Sequence, residues 1–181
     1  MARNKNNPVI TLTTDFGLQD HYVACMKGVI LQIAPDARII DVTHEIEPQN
    51  ILGAAFVLGQ TLAWYPPDTI HVVVVDPGVG TSRRIIAARY GGQSIIAPDN
   101  GIISFAHQVY QIEEARFINN TRLALAHVSN TFHGRDIMAP AAAHLSTGCK
   151  FSDLGPPTDH VEVLQVSRPE SNNGCMITGE V

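Results

Sequence analysis

The sequence is poor in charge, because Asp, Glu, Lys and Arg make up only 16% of its 181 residues and acidic residues outnumber basic ones by 17 to 12. It contains no long run of Lys or Arg, which a protein that tracks nucleic-acid phosphates or an anionic membrane surface would need. We therefore expect neither nucleic acid nor a membrane among its partners.

Cysteine is equally scarce. The 3 cysteines are odd in number and lack CxxC spacing, so they indicate neither a disulfide framework nor a zinc site. No apolar stretch approaches the ~18 residues of a membrane-spanning helix, and the polar residues 1–8 do not resemble the apolar core of a signal peptide. These absences predict a cytoplasmic protein.

Apolar residues, in contrast, make up 45% of the chain. Short β-branched runs alternate with longer runs of helical period, which is typical of an α/β fold with a mostly parallel sheet sandwiched by helices. The predicted strands cover residues 9–13, 38–42, 69–75, 85–89 and 94–97. The predicted helices cover residues 20–33, with Asp20 as the cap, 51–64, 101–109 and 136–145.

The composition changes near Gly155, where two prolines and an alternating run over 161–166 follow. A last strand-like run begins at residue 175. We therefore predict an α/β domain over residues 1–157, and over 158–181 a linker with the first strands of an incomplete C-terminal β domain. On this interpretation the chain is a fragment of a longer protein.

Aspartates recur where four of the predicted strands end: Asp15, Asp41, Asp76 and Asp99. Ligands of open α/β sheets bind beyond the carboxyl ends of the strands, so these carboxylates are expected to share one crevice. Asp before Gly or Pro is also common in ordinary turns. A divalent-metal hydrolase that uses these oxygens as ligands is an alternative.

A second polar stretch, residues 129–136, comes directly before a predicted helix and contains His133. Histidine titrates near neutral pH and suits proton transfer, although a packed or capping role is equally ordinary. The glycine-rich turn at 78–80 matches neither a Walker A loop nor GxGxxG. It brings Arg83 or Arg84 back toward Asp76, as a surface ion pair or as an ordered pair that orients a reactant.

Together these segments resemble the S-adenosylmethionine hydroxide adenosyltransferases, which hydrolyse S-adenosylmethionine to adenosine and are relatives of the bacterial fluorinating and chlorinating enzymes. The matching segments appear in family order over residues 8–155. They are Thr14-Asp15-Phe16-Gly17 with Asp20, Asp41-Val42-Thr43-His44, Asp76-Pro77-Gly78-Val79-Gly80-Thr81 with Arg83-Arg84, Pro98-Asp99-Asn100-Gly101, and Thr131-Phe132-His133-Gly134-Arg135-Asp136.

The resemblance implies substitution at the ribose C5′ of S-adenosylmethionine by water or hydroxide, with no cofactor and no metal. It implies that Asp76, Arg83 and His133 hold the nucleophile, with Arg83 preferred to Arg84 because it is the first Arg after the glycine turn. It further implies substrate binding by the residues that match the first and fourth motifs: Asp15, Asp20, Asp99 and Asn100.

Members of this family carry a second, smaller β-barrel domain and assemble as homotrimers, with substrate between neighbouring subunits. A halogenase is a weaker possibility, because His133-Gly134 and the short segment 83–97 fit the hydrolase branch of the family. A non-catalytic nucleoside-binding module is a third possibility.

Overall fold

The computed structural model describes residues 9–165 and the backbone of two further strands, Glu170–Asn172 and Met176–Thr178. Six strands make up the main sheet: β1 Val9–Thr14, β2 Arg38–Thr43, β3 Ile70–Val74, β4 Ile85–Tyr90, β5 Gln93–Pro98 and β6 Ile112–Phe117. The α-helices are α1 Tyr22–Ile33, α2 Ile51–Leu62, α3 Ser104–Val109 and α4 Ala139–Ser146. A π-helical turn, Gly134–Met138, leads directly into α4.

The sheet has the strand order β2-β1-β3-β5-β4-β6. Strands β2, β1, β3 and β5 are parallel, and β4 runs antiparallel to both of its neighbours. Five of the six strands therefore point the same way, which confirms the predicted α/β fold with a mostly parallel sheet.

Helices cover both faces of this sheet, with α1 and α4 on one face and α2 and α3 on the other. Strand β3 shows why, since every residue of it is buried. Val72 and Val74 pack into the core beneath α1 and α4, whereas Val73 faces the core beneath α2 and α3. A strand whose two faces are both buried needs a continuous apolar sequence rather than an alternating one.

Two local predictions differ from the structure. Strand β6 was not expected, because its sequence contains Glu113, Glu114 and Arg116. At the edge of the sheet such charges stay partly exposed or pair with each other, as Arg116 and Glu114 do. The predicted cap Asp20 is wrong: α1 begins at Tyr22 after His21, without a side-chain cap hydrogen bond.

The segment that follows the glycine turn is short and folds into the β4–β5 hairpin. Its turn residues Gly91 and Gly92 have φ of +57° and +75°, the left-handed region that two-residue hairpin turns require. None of the helices in the described part of the chain has the length and hydrophobicity that a bilayer crossing needs.

The two terminal strands, Glu170–Asn172 and Met176–Thr178, pair antiparallel with each other. The second of them falls within the strand predicted from residue 175, and the remainder of that prediction lies outside the described residues. The division into an α/β domain over 1–157 and the start of a β domain over 158–181 stays a prediction.

Candidate active site

Three segments meet beyond the carboxyl end of β3. Asp76 follows this strand by two residues, and Arg83 ends the glycine-rich turn that comes next. His133 comes directly before the π-helical turn that leads into α4. The chain therefore brings together Asp76, Arg83 and His133, although 50 residues separate the last two in sequence.

Asp76 and Arg83 form a bidentate pair. The Arg83 Nε donates to Asp76 Oδ1 at 2.9 Å, and Nη2 donates to Oδ2. The Arg83 side chain is only 8% exposed and that of Asp76 only 5%. Burial raises the pKa of the Asp76 carboxyl, while the Arg83 charge and its hydrogen bonds oppose that rise. The two parallel hydrogen bonds of such a buried pair hold both side chains in one orientation, unlike an ion pair at the surface.

His133 contacts this pair, with its Nδ1 3.4 Å from Arg83 Nη2. A guanidinium can only donate, so Nδ1 is the acceptor in this contact, and the ring also hydrogen-bonds to the backbone of Ser129. Burial lowers the pKa of His133, and the Arg83 charge lowers it further, against the opposing charges of Asp76 and Asp136. These surroundings therefore favour the neutral form of the imidazole.

The loop before His133 is held by a buried carboxylate. Asp136 accepts from the backbone N of Ser129 at 2.8 Å and from Arg135 Nε at 2.6 Å. Gly80 of the glycine turn, at φ +78°, lies so close to this loop that a Cβ there would sit 2.5 Å from the Asn130 carbonyl oxygen. Only glycine permits both the backbone conformation and the approach of the two loops.

Asp15 also lies at this edge of the sheet, because Thr14 and Val74 are paired in the parallel β1–β3 register. Its Oδ2 accepts from the backbone N of Gln49 at 2.9 Å. Asp20 is exposed, and the contacts described for residues 9–165 do not join it to Asp76. Neither aspartate touches the pair or His133 directly.

Asp99 and Asn100 follow β5. Asn100 Nδ2 donates to the carbonyl of Val75 at 3.0 Å, which ties the β5 end to the residue before Asp76. Both Asp99 oxygens already accept hydrogen bonds within the chain, one of them from Arg84 Nη2 at 3.0 Å. The structure thus separates the two arginines, since Arg83 binds Asp76 and Arg84 binds Asp99.

Asp41 does not join the other aspartates. It lies within β2, paired with Leu12, and two more residues of the strand follow it. Its oxygens lie 2.6 Å from Lys27 Nζ and 3.0 Å from His44 Nε2. Across the described residues, no three His, Cys, Asp or Glu side chains cluster closely enough to share a metal ion.

The sequence analysis also missed an aromatic group beside His133. The Tyr22 ring lies 5.9 Å from Phe16 and 5.3 Å from Phe132, and Arg135 stacks over Phe132 at 4.9 Å. These side chains line a small, mostly apolar cavity. The only hint in the sequence is that Phe16 and Phe132 each follow or precede a candidate site residue.

A three-layer α/β domain with polar side chains gathered beyond its parallel strands belongs to the broad class of α/β small-ligand domains. Residues 10–155 match the family described as SAM hydroxide adenosyltransferase N-terminal domain, and the chain belongs to that family. The resemblance found in the motifs is thereby confirmed.

Among its relatives is an (R)-S-adenosyl-L-methionine hydrolase of Salinispora arenicola, 42% identical over 165 residues, or 91% of this chain and 63% of the relative. A protein of the same name from Thermus thermophilus is 38% identical, covering 94% of this chain and 70% of that protein. A fluorinase of an Actinoplanes species is more distant, at 26% identity over 97% of this chain and 67% of the fluorinase.

A crystal structure of an uncharacterized conserved protein from Thermotoga maritima superposes with a TM-score of 0.89 at 44% identity, covering 91% of this chain and 63% of that one. The chain thus spans just under two thirds of the length of the Salinispora and Thermotoga proteins.

Proposed function

We propose that this chain is the α/β part of an enzyme that hydrolyses S-adenosyl-L-methionine to adenosine and L-methionine. The observation that carries the proposal is the contact of the buried Asp76–Arg83 pair with His133 at the ligand edge of the sheet. Family membership and the names of the relatives near 40% identity support the same reaction.

The chemistry places its demand on the nucleophile. The oxygen forms a bond to C5′ while the C5′–S bond breaks, and the bonding electrons leave with sulfur as a neutral thioether. A sulfonium departs without a general acid, so the leaving side needs no metal. Each turnover consumes one water and releases one proton.

The three residues suit that demand. His133, whose Nδ1 faces Arg83, can accept the proton that the attacking water loses or share it through a hydrogen bond. The Arg83 charge favours hydroxide over water beside it. Asp76 holds the guanidinium in one orientation by accepting two hydrogen bonds from it. Attack of an anion on a sulfonium neutralises both charges, so a site that excludes water favours the transition state.

We further propose that Asp15 and Asp20 bind the ribose and methionine parts of the substrate, and that Asn100 lines the same pocket. The position of Asp15 beyond β1, next to β3, supports this assignment. A homotrimer that places substrate between neighbouring subunits is proposed from family membership alone, and the cytoplasmic location stays a prediction.

Two other reactions fit less well. The curated fluorinases are more distant than the hydrolases, and the sequence keeps His133-Gly134 and the short β4–β5 hairpin. A metal hydrolase built on the strand-end aspartates loses support because Asp41 lies within β2, bound by Lys27 and His44.

The test is to incubate the intact protein with S-adenosylmethionine in ¹⁸O-labelled water and to analyse the adenosine by mass spectrometry. We expect one ¹⁸O in the 5′-hydroxyl and equimolar methionine. Adenosine binding without turnover would instead identify a nucleoside-binding module, and formation of a 5′-halogenated nucleoside with added halide would identify a halogenase.

A further inference from the structure

Asp99 is buried and fully engaged inside the chain. Its side chain is 1% exposed. Oδ2 accepts from Arg84 Nη2 at 3.0 Å, and Oδ1 accepts from the backbone N of Glu162 at 2.8 Å. Its own backbone N donates to the Arg84 carbonyl at 2.8 Å. Because the carboxylate is almost wholly buried, a substrate hydroxyl or ammonium has little access to its remaining lone pairs.

Arg84 connects Asp99 to the proposed active site. The Arg84 carbonyl accepts from Arg83 Nη1 at 3.1 Å, and its guanidinium stacks over Phe117 at 4.4 Å. Asp99 thus hydrogen-bonds to both the main chain and the side chain of Arg84, the residue after Arg83. Arg83 is held from two sides, by Asp76 through Nε and Nη2 and by the Arg84 carbonyl through Nη1.

The other oxygen of Asp99 holds residues 160–165, which we name the C-terminal strap. The backbone N of Leu164 donates to Ser104 Oγ at 2.7 Å, and Val163 bridges to Gly101. Gly101, at φ +100°, leaves room for the Leu164 side chain, which a Cβ would meet at 2.5 Å. The strap therefore docks on the start of the segment that leads into α3.

We propose that Asp99 is a positioning residue: through Arg84 it fixes the Arg83 guanidinium against Asp76 and His133, and it makes that geometry depend on docking of the strap. This inference rests on the proposed function of Arg83. It assigns Asp99 a role that does not involve touching the substrate.

The decisive variant is Asp99→Asn in the intact protein. Its amide can place an oxygen toward either Arg84 or the Glu162 N–H, but its NH₂ group must then face the other donor. The substitution therefore removes one of the two hydrogen bonds of this side chain and leaves its volume nearly unchanged. We expect kcat for S-adenosylmethionine hydrolysis to fall about 10- to 100-fold, as for a small misplacement of a reacting group, while KM stays within about threefold.

A readout that does not depend on turnover is the titration of His133 by NMR. The charged groups that face this imidazole are Arg83, Asp76 and Asp136. If the Arg83 guanidinium shifts away, its lowering of the His133 pKa weakens, so the pKa rises in Asp99→Asn. Loss of general stability alone would leave this pKa where it is.

Arg116→Gln is the matched control. Arg116 also holds the chain just before the strap, donating from Nη1 to the Gly155 carbonyl at 2.9 Å, but the described contacts do not link it to Arg83. We expect near-normal kcat and an unchanged His133 pKa. Equal losses in Arg116→Gln and Asp99→Asn would overturn the proposal.

The proposal is also overturned if Asp99→Asn raises KM with kcat unchanged, which identifies a substrate contact, or if it leaves both kcat and the His133 pKa unchanged. If that variant does not fold, Arg84→Gln, which keeps the carbonyl and removes the gripped guanidinium, must reproduce both changes. If the unaltered protein lacks turnover, the proposed function fails, and the NMR titration still decides the role of Asp99.

Discussion

Replacing Arg83 by methionine tests whether the buried ion pair is as tightly coupled as its geometry indicates. Methionine keeps an unbranched apolar side chain but removes both hydrogen bonds that Arg83 donates to Asp76, whose side chain is 5% exposed. Breaking one partner of such a pair typically costs about 3 to 5 kcal/mol, because the other charge stays buried and unpaired. For a domain of this size that corresponds to a fall in Tm of roughly 6 to 20 °C.

The cost should depend on pH with a defined sign. Burial already raises the pKa of Asp76, and without Arg83 that pKa rises further. A carboxyl whose folded-state pKa lies above its unfolded value, about 4, favours folding only where it is protonated, at low pH. The free energy of unfolding that Arg83→Met loses relative to the unaltered protein is therefore small near pH 4. This loss grows as the pH rises through the folded-state pKa of Asp76.

The assay is urea unfolding of the intact protein followed by circular dichroism at several pH values. Lys27→Met is the control, because its ion pair with Asp41 is 34% and 38% exposed and should be worth about 1 kcal/mol or less. The double variant Asp76→Asn with Arg83→Met removes the stranded charge and should recover part of the loss. The reasoning is refuted if Arg83→Met is as stable at pH 8 as the double variant.

Three further outcomes follow from the same structure. His133→Ala should lower kcat about 10²- to 10⁴-fold with little change in S-adenosylmethionine affinity. His127 is an exposed histidine nearby, and His127→Ala should leave kcat unchanged. Equal turnover in the two variants contradicts the role of His133. Burial lowers the pKa of His71 to about 4, so as the pH falls below about 6.5 the unfolded chain binds a proton at this histidine before the folded chain does. Between pH 6.5 and 4 this costs about 3 kcal/mol of stability, and His71→Gln should remove that loss. An unchanged pH dependence of the free energy of unfolding in His71→Gln argues against this role of His71. EDTA should leave turnover unaffected, and a loss that is restored by a divalent cation would favour a metal hydrolase.

The fold was largely predictable because its signals are local. The parallel strands β1, β3 and β5 are short β-branched runs buried on both faces, and such runs differ visibly from the helical period of α1. Strand β6 escaped prediction because an edge strand keeps charged residues, which weakens the hydrophobic pattern that marks a strand.

The site was predictable in composition but not in its contacts. Asp76, Arg83 and His133 belong to motifs that sequence reading singles out, and the structure brings them together. Asp41 carried the same turn-like signal and lies elsewhere, within β2. A sequence marks the end of a strand only to within a few residues, so it does not determine which of these aspartates reaches the ligand edge.

By itself, the sequence determined the layered α/β arrangement, the family and the kinds of side chain available for chemistry, since hydrophobic period and turn residues are encoded over a few neighbouring positions. Only the tertiary structure decided which of two adjacent arginines binds which aspartate. Arg83 and Arg84 are one residue apart, yet one packs against Asp76 and the other against Asp99. That choice depends on strand order and on the approach of distant loops, which no local pattern records.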